Sequence, residues 1–98
     1  MFVNIIKTYR DIVAICDSNL IGKKFEEGEF QLDIKESFFK GKEESVEKVR
    51  RIMTDMIKED ATFNIVGENS IKTALDEGII SKEGIREIQG IPFALILK

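Results

Sequence analysis

Two short runs near the start of the chain limit its fold more than any other feature. Residues 2–8 (FVNIIKT) and 12–16 (IVAIC) are apolar at consecutive rather than alternate positions and rich in β-branched residues. Such side chains pack well on a pleated surface, so both runs predict strands. A strand that is apolar on both faces belongs in the interior of a sheet, or in one covered on two sides. Tyr9, Arg10 and Asp11 between the runs predict a hairpin loop. The whole chain leans the same way, with sixteen isoleucines against five leucines.

Further along, the period changes. Asp17, Ser18 and Asn19 form a polar turn cluster, and residues 20–25 (LIGKKF) predict a short strand or an extended loop. After a turn at Glu26–Glu29, Phe30, Leu32 and Ile34 alternate with Gln31, Asp33 and Lys35, the period of a half-exposed strand. On this reading the first forty residues are all strands, ending at Gly41. Residues 43–59 then follow a helical stripe of Val46, Val49, Ile52, Met53, Met56 and Ile57, with Met53 and Met56 expected in the core. A strand at 63–66 enters Gly67. A second helix over 68–77 turns Ile71, Ala74 and Leu75 inward, ends at a left-handed Gly78 and precedes a short turn at Ser81. Strands near 85–88 and 92–97, joined at Gln89–Gly90, close the chain. Strands at both ends with helices between predict an α+β two-layer domain spanning residues 1–98. Its sheet is expected to be mostly antiparallel or mixed, with one long and one shorter helix packed on it.

Composition excludes more functions than it assigns. Ninety-eight residues at 43% hydrophobic offer enough apolar surface to exclude intrinsic disorder. No apolar run approaches the roughly 18 to 20 residues of a membrane helix. The opening residues lack the basic region, apolar stretch and cleavage site of a secretory signal. A single cysteine forms no internal disulfide, so a reducing, cytoplasmic setting is expected. Without histidine there is no histidine triad, imidazole acid–base pair or histidine-rich zinc site, and no metal or cofactor is expected. Residues 1–42 balance seven basic against seven acidic groups. The net charge of −3 therefore lies entirely in residues 43–98, and a general nucleic-acid binder would be far more basic. Lys/Glu enrichment is the direction seen in hyperthermophile proteins, and a biased genome composition produces the same pattern.

Four groups of residues carry chemistry worth weighing. Cys16 ends an apolar strand beside an anion, Asp17, which favours a small buried hydrophobe over a reactive thiol. Gly22-Lys23-Lys24 fails as a phosphate loop, because position 17 is Asp and position 24 is neither Ser nor Thr. With Tyr9, Arg10 and Phe25 it reads either as a basic patch for phosphate or RNA backbone or as solvated surface. Glu26, Glu27 and Glu29 lack the spacing of a calcium loop and read as a solvated turn. Gly67-Glu68-Asn69-Ser70 opens the second helix, where free N–H groups bind an anion or are capped by Asn69 or Ser70.

Three segments resemble the archaeal domain-of-unknown-function 424 family. They are CDSNLIGKKFEEG at 16–28, NIVGENSIKTALDEGII at 64–80 and GIPFALIL at 90–97, and Phe38-Phe39-Lys40-Gly41 is similar to the family's aromatic-then-glycine step. The last segment departs from the family's more polar pattern, which includes a histidine, by carrying Phe93-Ala94-Leu95. The resemblance implies an archaeal cytoplasmic protein encoded near translation-related genes, and it supplies no catalytic residues.

Two functions compete. The first is a small non-catalytic binding module contacting RNA or a translation-associated protein, through Tyr9, Arg10, Gly22, Lys23, Lys24 and Phe39, or through Gly67, Glu68 and Asn69. The second is an enzyme using carboxylate and lysine chemistry, which requires Asp17, Lys23 and Glu68 to converge in one cleft. Self-association is a third role, since ALIL at 94–97 on an open sheet edge favours pairing with a second copy.

Overall fold

The computed structural model describes residues 1–97. β1 (Phe2–Ile6) and β2 (Ile12–Cys16) form the expected hairpin, with Val3 opposite Ile15 and Ile5 opposite Val13. On its other side β2 runs parallel to β6 (Thr62–Val66), pairing Ile12 with Thr62 and Cys16 with Val66. β6 then pairs antiparallel with β8 (Ile91–Ile96), and β8 with β7 (Arg86–Ile88). A two-residue strand, β5 (Lys42–Glu43), lies outside β1, so the six-stranded sheet has the order β5-β1-β2-β6-β8-β7. The doubly apolar β2 is interior, as its sequence requires. β8 is also an inner strand, although β7 covers it only along Ile91–Phe93.

Helices α2 (Val46–Lys58) and α3 (Glu68–Asp76) cover one face. There Val13, Ile15, Phe63, Ile65 and Ala94 meet Val49, Met53, Ile71 and Ala74 in a single buried cluster. This is the mixed-sheet α+β domain expected, with its long and its shorter helix. The opposite face is covered in part by a 3₁₀ turn (Ser18–Leu20), a hairpin of β3 (Lys24–Glu27) and β4 (Phe30–Asp33), and a one-turn helix α1 (Glu36–Phe39). Ala14, Cys16 and Val66 pack there against Leu20, Ile34 and Phe39.

Several expectations need correction. The first forty residues are not all strands, because the chain turns through Ser18–Leu20 and coils at Glu36–Phe39. α2 begins at Val46, not at residue 43. Lys42 and Glu43 pair with Val3 and Phe2, and the Ser45 hydroxyl caps the helix by accepting from the Lys48 N–H at 3.2 Å. Val46 is therefore exposed in the first turn rather than inward. Met53 is fully buried, whereas Met56 and Ile52 are half-buried. Gly41 lets the chain cross the edge of β1: a Cβ there would stand 2.1 Å from the Val3 carbonyl oxygen and 2.8 Å from Asn4 Cα.

Candidate functional site

β2 and β6 are the parallel neighbours at the centre of the sheet, and residues 17–61 supply the crossover that parallel pairing demands. In open α/β sheets, ligands bind beyond the carboxyl ends of such strands. Here Asp17 follows β2 and Gly67 follows β6, and the two segments are tied together. The Asp17 N–H donates to Val66 O at 3.1 Å, and the Gly67 N–H donates to Pro92 O at 2.8 Å.

The Asp17 carboxylate lies buried at the start of α3. Oδ2 accepts from the Asn69 N–H at 3.0 Å, while Oδ1 accepts from the Ser70 N–H at 2.8 Å and the Ser70 hydroxyl at 2.7 Å. A carboxylate is favourable beside the positive end of a helix, and hydrogen bonds to an ionised acceptor are the stronger kind. Gly67 makes room for it. Its φ is +110°, and an added Cβ would lie 2.4 Å from Asp17 Cγ. Neither Asn69 nor Ser70 caps its own helix, because the donors are taken by a residue more than fifty positions away in sequence. The place an external anion would occupy is filled by the chain's own carboxylate.

The same chemistry governs Cys16. It is fully buried, and burial, with the Asp17 charge second, pushes its thiol up to about 11. A thiol held protonated is a poor nucleophile, in keeping with a packing role.

Outside this clamp lies a cleft of about 160 Å³ lined by Asp17, Asn19, Leu20, Glu68, Asn69 and Ile91. Asn19, Glu68 and Asn69 are exposed on its rim. Asp17 and Glu68 thus reach one cleft, whereas Lys23 does not line it. Its N–H donates to Leu20 O at 3.0 Å, which places it at the neighbouring turn. Gly22, at φ +79°, packs against the Glu36 side chain, and Lys24 faces Asp33 across the hairpin and stands 4.0 Å from Glu26. Tyr9 and Arg10 are exposed in the β1–β2 loop, at the opposite end of β2 from Lys23 and Lys24. At about 3.3 Å per residue, that strand separates the two pairs by more than ~13 Å, so they form no single patch. Phe39 is buried beneath Ala14 and Cys16, edge-on to Phe38 with ring centroids 5.1 Å apart, and lines a separate cleft with Phe38, Leu32 and Phe93 rather than joining the lysine pair. Sequence reasoning missed Asn19 and Ile91 on the rim and the capping role of Asp17. A carboxylate just after one apolar strand and a glycine just after another were the available signal.

The sequence profile of DUF424, described as a protein of unknown function, matches residues 6–98. The chain belongs to the DUF424 family. Its fold is similar to the crystal structure of an uncharacterized conserved protein from Methanopyrus kandleri, with a TM-score of 0.84 and 23% identity. That match covers 99% of this chain and 92% of the other. No curated protein sequence matches it. All three segments that carried the DUF424 resemblance reach the cleft: the first through Asp17, Asn19 and Leu20, the second through Glu68 and Asn69, the third through Ile91.

Proposed function

We propose that this protein is a non-catalytic binding module whose recognition surface is the rim of Asn19, Glu68 and Asn69, with the Lys23–Lys24 turn beside it. The observation that carries the reading is the state of Asp17. It already accepts three hydrogen bonds, most of what a carboxylate can accept, so it is committed to holding α3 rather than free to move protons. The cleft at about 160 Å³ is also smaller than the ~300–1,000 Å³ of small-molecule pockets. Exposed amides around a shallow cleft suit the hydrogen-bonding rim of a macromolecular interface.

A protein partner, of the translation apparatus or another, fits this surface better than RNA. Lys24 stands beside Glu26 and faces Asp33, and Glu68 adds a negative charge to the rim, so phosphates meet mixed charge rather than a basic track. The test is a pull-down from native lysate with and without nuclease, using the full chain and an Asn19→Ala/Asn69→Ala variant. A protein retained after nuclease and lost with the variant is expected. Capture abolished by nuclease, with a steep loss in salt, assigns the surface to RNA, and capture unchanged in the variant removes the rim from the reading.

A further inference from the structure

The β3–β4 hairpin has a bare edge, because β4 pairs with β3 alone. Just past β4 the Ile34 N–H donates to Lys23 O at 2.9 Å, and Ile34 O accepts from the Gly22 N–H at 2.7 Å. Both groups of Ile34 therefore point toward β3. Backbone groups in an antiparallel strand alternate in direction, so Leu32 points the same way while Gln31 and Asp33 turn their N–H and C=O away. No hydrogen bond among the described residues takes up any of these four outward groups.

That edge borders a cleft of about 310 Å³, which Phe38 and Phe39 of α1 also line. Its floor is the sheet face opposite α2 and α3, where Val66 pairs with Phe93 and Asn64 with Leu95. Asn64 is half-buried there, and its side-chain amide makes no hydrogen bond among the described residues. Asp33 is the one charged residue in the lining, and no basic residue joins it. The volume reaches the ~300–1,000 Å³ of small-molecule sites, which are likewise apolar with a few placed polar groups.

These observations narrow the occupant. Aromatic and aliphatic walls suit a flat ring. Along a strand edge the carbonyl of one residue stands beside the N–H two residues on, so Gln31 C=O and Asp33 N–H present an acceptor next to a donor. The complement is a ring edge with a donor next to an acceptor, which is an amino group beside a ring nitrogen. A phosphate finds no basic partner. We infer that this cleft binds the base of a free nucleoside that carries an amino group beside a ring nitrogen, as adenosine and cytidine do. The Gln31 carbonyl accepts from the amino group and the Asp33 N–H donates to the ring nitrogen. Phe93 and Leu95 support the ring, and Asn64 offers a donor and an acceptor to its remaining polar atoms. The cleft shares no lining residue with the rim proposed above, and the inference does not depend on that reading.

The experiment is a titration of the isotope-labelled full chain with adenosine and with cytidine, followed by amide resonances. Both nucleosides should shift the Asp33 backbone amide and the Asn64 side-chain amide. Adenosine methylated twice on its amino group should bind about tenfold more weakly, because it leaves the Gln31 carbonyl unpaired beneath a ring. Asn64→Leu, close in volume but without the amide, should weaken adenosine binding by a similar factor, and AMP should bind no more tightly than adenosine. The inference is overturned if neither nucleoside binds at millimolar concentration, or if binding leaves the Asp33 and Asn64 resonances unmoved. It is overturned equally if the methylated nucleoside or Asn64→Leu shows unchanged affinity, or if AMP binds more tightly. An oligoadenylate that binds where adenosine does not would give the cleft to RNA, and overturns the free nucleoside as its ligand.

Discussion

Asp17 and Gly67 are adjusted to each other, which makes a pair of substitutions informative. Asp17→Ala removes an ionised acceptor from two backbone donors and a buried hydroxyl. It should cost about 1.5–3 kcal/mol in a urea melt. Gly67→Ala should cost more than Gly-to-Ala strain alone, because its Cβ meets the carboxylate as well as an unfavourable φ. In the Asp17→Ala background the collision disappears and the strain remains, so the two losses should sum to more than the double variant shows. Strict additivity would mean that the carboxylate moves aside at no cost. Cys16 supplies a second prediction. Its thiol should resist labelling in the native protein and react only on unfolding. Folding raises the thiol from its ordinary value of 9.0 to about 11. Above pH 9 the unfolded chain therefore releases a proton that the folded chain keeps, and stability falls as pH rises toward 11. Melts of wild type and Cys16→Ala between pH 8 and 11 should show the steeper decline in wild type.

At the level of elements, α2 carries the firmest expectations. Met53 is fully buried against the sheet, so Met53→Ala should cost about 2–5 kcal/mol. Ile52 borders a cleft and is half-buried, so the same truncation there should cost clearly less. Ser45→Ala should remove about 1 kcal/mol by uncapping the helix. The helical stripe showed that α2 exists, but not where it starts. Glu44 and Lys48 make as good an i,i+4 pair on paper as any inside the helix, and only the ladder between β5 and β1 pulls residues 42–43 out of it. The strands of the sheet were readable for a similar reason: β2 occupies residues 12–16 because burial on both faces leaves no other way to place IVAIC. α1 was not readable, since four residues complete a single turn and no period can build up. Nor was the Asp17 clamp, whose partners meet only after the whole crossover has folded.

For the molecule as a whole, the basic groups do not gather. Reversing Lys23→Glu and Lys24→Glu should change stability by no more than about 0.5 kcal/mol each, because exposed charges contribute little. A larger fall in melting temperature would show that the lysine stems are packed. The central parallel pair has a further consequence, for how fast the chain folds. β2 and β6 pair residues about fifty positions apart, so the middle of the sheet closes only after a long loop has been ordered. Non-local pairing of this kind slows folding relative to helical proteins of the same length. During synthesis the β1–β2 hairpin leaves the ribosome before β6, and the apolar flank of β2 waits for β6 to be made. Cys16 sits at the end of that flank, opposite Val66. Pulsed thiol labelling during refolding should therefore time sheet closure, with Cys16 protected late, as α3 docks, rather than with the early hairpin.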